Sequence, residues 1–181
     1  MSLLGRAGVA LSEIDAFAVA IGPGSFTGLR IGIATMQGLA FAAAKALVGV
    51  SGFDALARLA GSGGRVATWV DAWRGEVFAA LYEDGREVES PVVARPEILL
   101  ESMRGQPTLF LGDGALTHRD VIARVMGDAA RLADPAAPPL AATIAILASG
   151  ARPGDHPAHA IRPLYVRRTD AELARDARAL R

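Results

Sequence analysis

The chain has 181 residues, 51% of them hydrophobic, and its 19 basic and 19 acidic side chains cancel. That is enough apolar material for one large or two small domains, while a zero net charge provides no global field for nucleic acid and leaves only local patches to attract it. There is no cysteine, hence no disulfide framework or thiolate zinc site; no uncharged apolar run approaches the roughly twenty residues of a membrane span; and the start lacks a charged n-region, so the cytoplasm is the expected compartment.

The first element is a strand over 16–21, where Phe17, Val19 and Ile21 alternate with alanines in a pattern that suits burial on both sides. A glycine-rich turn follows, Gly22-Pro23-Gly24-Ser25-Phe26-Thr27-Gly28, and then 27–45 reads as a long helix with no proline and only Arg30 and Lys45 charged. Such a helix needs cover on several sides. Ala34, Gly38, Ala42 and Ala46 recur every fourth residue, forming a ridge of small side chains that either packs inside one subunit or lets the backbone of another helix come close.

The turn admits three chemistries. A dinucleotide fingerprint is opposed by Pro23, which removes an amide donor, and by Ser51, which stands where an acid would hold a ribose. A P-loop needs a lysine beside the last glycine, and Leu29 and Arg30 are there instead. The third reading, a structural turn, has glycines supplying unusual φ/ψ and Ser25 or Thr27 capping the helix.

Downstream, 47–50 reads as a short strand and 53–59 as a helix, and Gly61-Ser62-Gly63-Gly64 marks a domain boundary. Runs 66–70 and 76–82 flank a turn at 71–75 and predict a hairpin, and Asp84-Gly85 turns the chain again into 86–89. Pro96 opens a helix at an N1-like position, 108–111 is a buried strand, 117–126 a helix, 135–139 a stiff linker and 140–149 a further helix.

Few groups in this half suggest chemistry. His156 and His159 lack the i, i+4 spacing and intervening glutamate of a helical zinc motif. Asp71, Arg74 and Glu76 form either an acid–base group or a solvated hairpin tip. Gly112-Asp113-Gly114 suits phosphate amides or a tight strand-to-helix turn, and Ser25 has no histidine near it in sequence. Arg162, Arg167, Arg168 and Arg175 make a basic cluster, either a solvated face or a contact for an acidic partner. No catalytic residue, cofactor site or metal site is assigned.

The run Gly22-Pro23-Gly24-Ser25-Phe26-Thr27-Gly28-Leu29-Arg30-Ile31-Gly32 resembles the signature of the TsaB family, also labelled YeaZ or glycoprotease-like. The resemblance continues through Gly49-Val50-Ser51, Val70-Asp71-Ala72-Trp73-Arg74-Gly75-Glu76-Val77-Phe78, Leu111-Gly112-Asp113-Gly114 and Arg162-Pro163-Leu164-Tyr165-Val166-Arg167-Arg168. It implies an α/β fold of the actin, sugar-kinase and Hsp70 class (ribonuclease H-like), with 1–60 a remnant of the first domain, 61–160 a smaller α/β domain and 161–181 returning towards the first. Family members open with a β-hairpin, two more strands and a long helix, so by comparison roughly fifty residues, including a nucleotide-phosphate hairpin, are expected ahead of this start. An exposed sheet edge and an uncovered apolar helix then follow.

The family resemblance further implies a non-catalytic partner subunit in making N6-threonylcarbamoyladenosine (t6A) at adenosine 37 of tRNA. Its partners would be the catalytic paralogue TsaD and the ATPase TsaE, with a homodimer as the other assembly, tRNA reached only through the complex, and no membrane. In the family the contact uses helices of the first domain, which here points to Arg30, Ala34, Gly38 and Ala42. Enzyme readings of the same fold are a glycoprotease, for which a metal-ligand set is wanting, and a nucleotide-dependent phosphotransferase, which needs the phosphate hairpin; a dinucleotide-binding oxidoreductase rests on the turn alone.

Overall fold

Alternating Phe17, Val19 and Ile21 are extended in the protein's computed structural model, which describes residues 3–151 and 158–166. One helical turn, α1 (Leu3–Ala7), precedes strand β1 (Ala16–Gly22), helix α2 (Phe26–Ala42), strand β2 (Ala46–Ser51) and helix α3 (Gly52–Ala60). β2 runs parallel to β1, with Ala16 opposite Ala46 and Ala20 opposite Val50. These two strands form a sheet by themselves among the described residues. β1 is therefore half-buried rather than enclosed as its sequence predicts, because it has a neighbour on one edge only.

α2 begins at its cap, where the Ser25 side chain accepts a hydrogen bond from the Gly28 amide. It ends three residues earlier than the apolar run suggests. Ala44 turns left-handed (φ 52°), its amide donates to the Phe41 carbonyl, and the Lys45 amide donates to the Ala40 carbonyl. This paired arrangement closes a helix, usually with glycine where Ala44 stands. Ala46, the fourth member of the expected ridge, consequently lies in β2.

A second sheet follows. β3 (Arg65–Asp71), β4 (Val77–Glu83) and β5 (Arg86–Ala94) form an antiparallel meander, with β5 five residues longer than the 86–89 its sequence suggests. After α4 (Pro96–Met103) comes β6 (Thr108–Leu111), then α5 (Asp113–Thr117), α6 (Arg119–Met126) and β7 (Ala130–Leu132). The sheet order is β5-β4-β3-β6-β7, with β6 parallel to β3 and β7 parallel to β6. Two features differ from the sequence reading: the helix expected over 117–126 is split at His118, with its first turn already formed at Asp113, and β7 has no counterpart in it.

Helices α4, α5 and α6 cover one face of this sheet, burying Trp69, Phe110, Leu100 and Ile122. α3 covers the other through Phe53 and Leu56, which pack on Val66, Phe78, Tyr82 and Leu111. The last described α-helix, α7 (Ala141–Ser149), packs against β1 and β2 although it follows the second sheet in sequence, with Ile144 meeting Val50 and Ala55. The first sheet thus lies between α7 and α2. Residues 161–166 return to it: Ile161 joins Ile33, Ala40 and Leu47, and the Leu164 amide donates to the Ile21 carbonyl at 2.7 Å.

Candidate protein interface

On α2 the side chains divide cleanly by helical phase. Ile33 and Ala40 are buried and Met36 is half-buried against the first sheet, while Ala34, Gly38 and Ala42 face outward. Around that ridge Ile31 is 63% exposed and Phe41 88% exposed, with Phe26 and Leu39 exposed as well. A Cβ built on Gly38 meets nothing within 4 Å, so the ridge packs against no other part of the described chain. A contiguous apolar face of this kind is what association surfaces present. Towards its C-terminal end lies a groove of about 640 Å³, lined by Gln37, Phe41, Lys45 and His159.

Arg30 sits on the same face, one turn before Ala34. Its guanidinium carbon lies 4.0 Å from the centre of the Phe26 ring, and its Nε donates to the Tyr165 hydroxyl at 2.8 Å. Phe26 and Tyr165 are themselves stacked at 5.4 Å. Phe26 and Tyr165 appear in the quoted sequence runs without a role; the i, i+4 spacing of Phe26 and Arg30 was the available signal for the first, whereas nothing local could bring Tyr165 to them.

The glycine-rich turn joins β1 to α2. Gly22 has φ +128°, and a Cβ there would lie 3.0 Å from the Leu164 carbonyl oxygen, so the return segment crosses close above it. Pro23 follows through a cis peptide bond, Gly24 precedes the capping Ser25, Thr27 is the second residue of α2 and not its cap, and Gly28 supplies the amide that Ser25 accepts.

Of the other candidate groups, His159 lines the groove at the end of this face, and those of the β3–β4 hairpin and of Gly112–Gly114 belong to the second sheet. The Asp71 carboxylate accepts from the Trp73 amide, and the Asp71 amide donates to Asp113 Oδ1, so both acids hold backbone turns. Trp73, Arg74 and Gly75 are successively left-handed, making the hairpin tip tight, and Glu76 returns the chain through its amide to the Trp73 carbonyl. At Gly112 a Cβ would fall 1.9 Å from the Trp69 carbonyl oxygen, so α5 lies directly on β3 and only glycine fits. Arg162 donates to the Ile161 carbonyl, and His159 is exposed. His156, Arg167, Arg168 and Arg175 lie outside the described residues. Among the described residues no group of three or more His, Cys, Asp or Glu could hold a metal ion, and no helix is long and apolar enough to cross a membrane.

A second concavity, about 630 Å³, opens between β2, α3, α7 and the β4–β5 turn, with Ser51, Asp54, Arg58, Tyr82 and Arg86 on its walls. Inside it the Tyr82 hydroxyl donates to Asp54 Oδ1 at 2.6 Å. Burial first, then that hydrogen bond and the negative charges of Asp54 and Glu87, push the Tyr82 phenol above its ordinary range.

Comparison with known proteins adds a set of similarities to this geometry. A family model described as TsaD: tRNA N6-adenosine threonylcarbamoyltransferase matches residues 1–175. The tRNA threonylcarbamoyladenosine biosynthesis protein TsaB of Escherichia coli is 40% identical over 112 residues, covering 56% of this chain and 48% of the E. coli protein. TsaB of Bacillus subtilis is 29% identical over 182 residues, 94% of this chain and 77% of its own length. This chain therefore spans about half of the first relative and about three quarters of the second. YeaZ from Pseudomonas aeruginosa superposes with a TM-score of 0.69 at 34% identity, over 90% of this chain and 79% of that one. A P. aeruginosa protein described as similar to peptidase YEAZ gives 0.72 at 33% identity, over 91% and 79%.

Proposed function

The chain belongs to the TsaB (YeaZ) family and has its actin-like α/β fold, and from that premise we propose that it is a non-catalytic partner subunit in t6A biosynthesis, docking a TsaD-type catalytic paralogue through the outer face of α2. The observation that carries this reading is the helix itself. Its inner side holds Ile33 and Ala40 in the core, while its outer side sets Ile31, Leu39 and Phe41 around a ridge of Ala34, Gly38 and Ala42 that nothing else in the described chain covers. Small side chains at that spacing let a second helix approach to backbone distance, and the larger apolar groups flanking them supply the area. A TsaE-type ATPase joins the assembly and tRNA is met through the complex, in the cytoplasm; a homodimer through the same face is the competing assembly.

Light scattering after size exclusion, on the chain alone and mixed with the TsaD-type paralogue of the same organism, tests the reading. A one-to-one complex is expected. Gly38→Leu and Ala42→Leu should each abolish it by overpacking the ridge, without unfolding the protein, because both positions are exposed. Wild-type binding by both variants would remove α2 from the interface.

A further inference from the structure

We propose that Arg30, held by Phe26 and by Tyr165 of the returning C-terminal segment, is a preorganised anchor for a carboxylate side chain on the partner's facing helix. This rests on the docking face proposed above and adds to it a polar specificity element. Of the five N–H donors of a guanidinium, the one on Nε is taken by the Tyr165 hydroxyl. Both terminal amino groups remain, and among the described residues no carboxylate forms an ion pair with Arg30. One flat face rests on the Phe26 ring, and the Phe26–Tyr165 stack fixes the two aromatic supports relative to each other.

Such a group has already lost most of the freedom that a long side chain gives up on binding. Its remaining edge has the fork geometry that takes a carboxylate bidentately. Charge complementarity points the same way: within α2 Arg30 is the one charged residue, so the helix presents an apolar outer face with, at its N-terminal end, a cation that no carboxylate among the described residues pairs. A helix that buries this face must either strand that cation or answer it with an acid, and leaving a desolvated charge unpaired is costly. The fitting partner segment is thus a helix with small apolar residues opposite Ala34, Gly38 and Ala42 and an aspartate or glutamate opposite Arg30.

Tyr165 is a positioning residue in this arrangement. It reaches Arg30 because the Leu164 amide is bonded to the Ile21 carbonyl and Ile161 is buried beneath α2. Calorimetric titration of the full 181-residue chain with the TsaD-type paralogue, at low and moderate salt, tests the anchor. Arg30→Gln should weaken binding ten- to a hundredfold and flatten its salt dependence, and Arg30→Lys should recover only part of the loss. Tyr165→Phe should weaken binding a few fold while keeping the salt dependence, since the charge stays and only its orientation loosens. Charge reversal by Arg30→Glu should be rescued by one acid-to-lysine change on the partner's facing helix. If Arg30→Gln binds within twofold of wild type while Gly38→Leu does not bind, the anchor is overturned and the docking face stands. If Gly38→Leu and Ala42→Leu also bind normally, or the unsubstituted chain does not bind, the docking face fails and the anchor with it.

Discussion

Tyr82 shows how much a single polar contact adds to an otherwise apolar core. Its ring is 3% exposed among Phe53, Phe78 and Leu111, yet its hydroxyl reaches the edge of the cleft and donates to Asp54. Because the folded state raises the phenol's proton affinity, the folded protein holds that proton more tightly than the unfolded chain does. The stabilisation is therefore complete below the ordinary phenol pKa of 10.0 and is lost as pH rises beyond it. Tyr82→Phe should cost about 1 kcal/mol at neutral pH through the lost hydrogen bond. Melting temperatures of both proteins between about pH 8 and 11 should converge as the wild type loses its advantage. A gap that stays constant across that range would show that the phenol's proton is not linked to folding.

At the level of elements, α2 was legible in its existence and its start, and illegible in its orientation. Its start follows from Ser25 as cap, the apolar run overshoots its end by three residues, and a helix apolar on every side gives no indication of which side the core takes. That choice was made from afar, by Leu47 on the neighbouring strand and Ile161 from the far end of the chain. The spacing of Ala34, Gly38 and Ala42 could be read in advance, whereas their outward direction could not. Similar reasons explain the other differences. β7 is three residues, Ala130, Arg131 and Leu132, with no alternation to reveal it, and it exists because β6 offers it an edge. The early turn of α5 follows from the close seating of Gly112 and Gly114 on the β3 backbone, a tertiary contact. By contrast the β3–β4 hairpin, β6 and the Pro96 helix start were plain from composition, because β-branched and aromatic runs and an N1 proline act locally. The open surroundings of Gly38 yield a prediction that separates folding from docking. Gly38→Ala adds helix propensity and meets nothing, so it should stabilise the chain by about 0.5–1 kcal/mol, seen as a raised urea midpoint with unchanged slope. A lowered midpoint would mean that the ridge is covered within the protein after all.

The whole molecule is two sheets held by elements that belong to both. α3 gives Ala55 to the core around Ile144 and Val50, and Phe53 and Leu56 to the core of the second sheet. Residues 161–166 do the same, with Ile161 under α2 while Leu164 and Val166 pack towards α3 and the second sheet. The two sides are unequal. Among the described residues, eleven buried side chains form the cluster behind the five-stranded sheet, against four in the cluster beneath α2, one of which is Ile161 at 7% exposure. The smaller cluster should therefore open first, and Ile161 should govern its opening. Its Cγ2 lies 3.2 Å from where a Cβ on Gly49 would be, beside Ile21 Cγ2 at 2.6 Å, so the two isoleucines close over this glycine together, and shortening Ile161 leaves a cavity in that contact. Ile161→Ala should cost about 2–4 kcal/mol locally. In hydrogen exchange read by mass spectrometry, β1 and α2 amides should lose protection by a large factor while those of β3, β4 and β6 keep theirs. Equal loss across both sheets would instead show that α3 and the return segment weld the chain into one cooperative unit. In that case the proposed docking face on α2 would be as rigid as the central sheet, and a partner would meet it already formed.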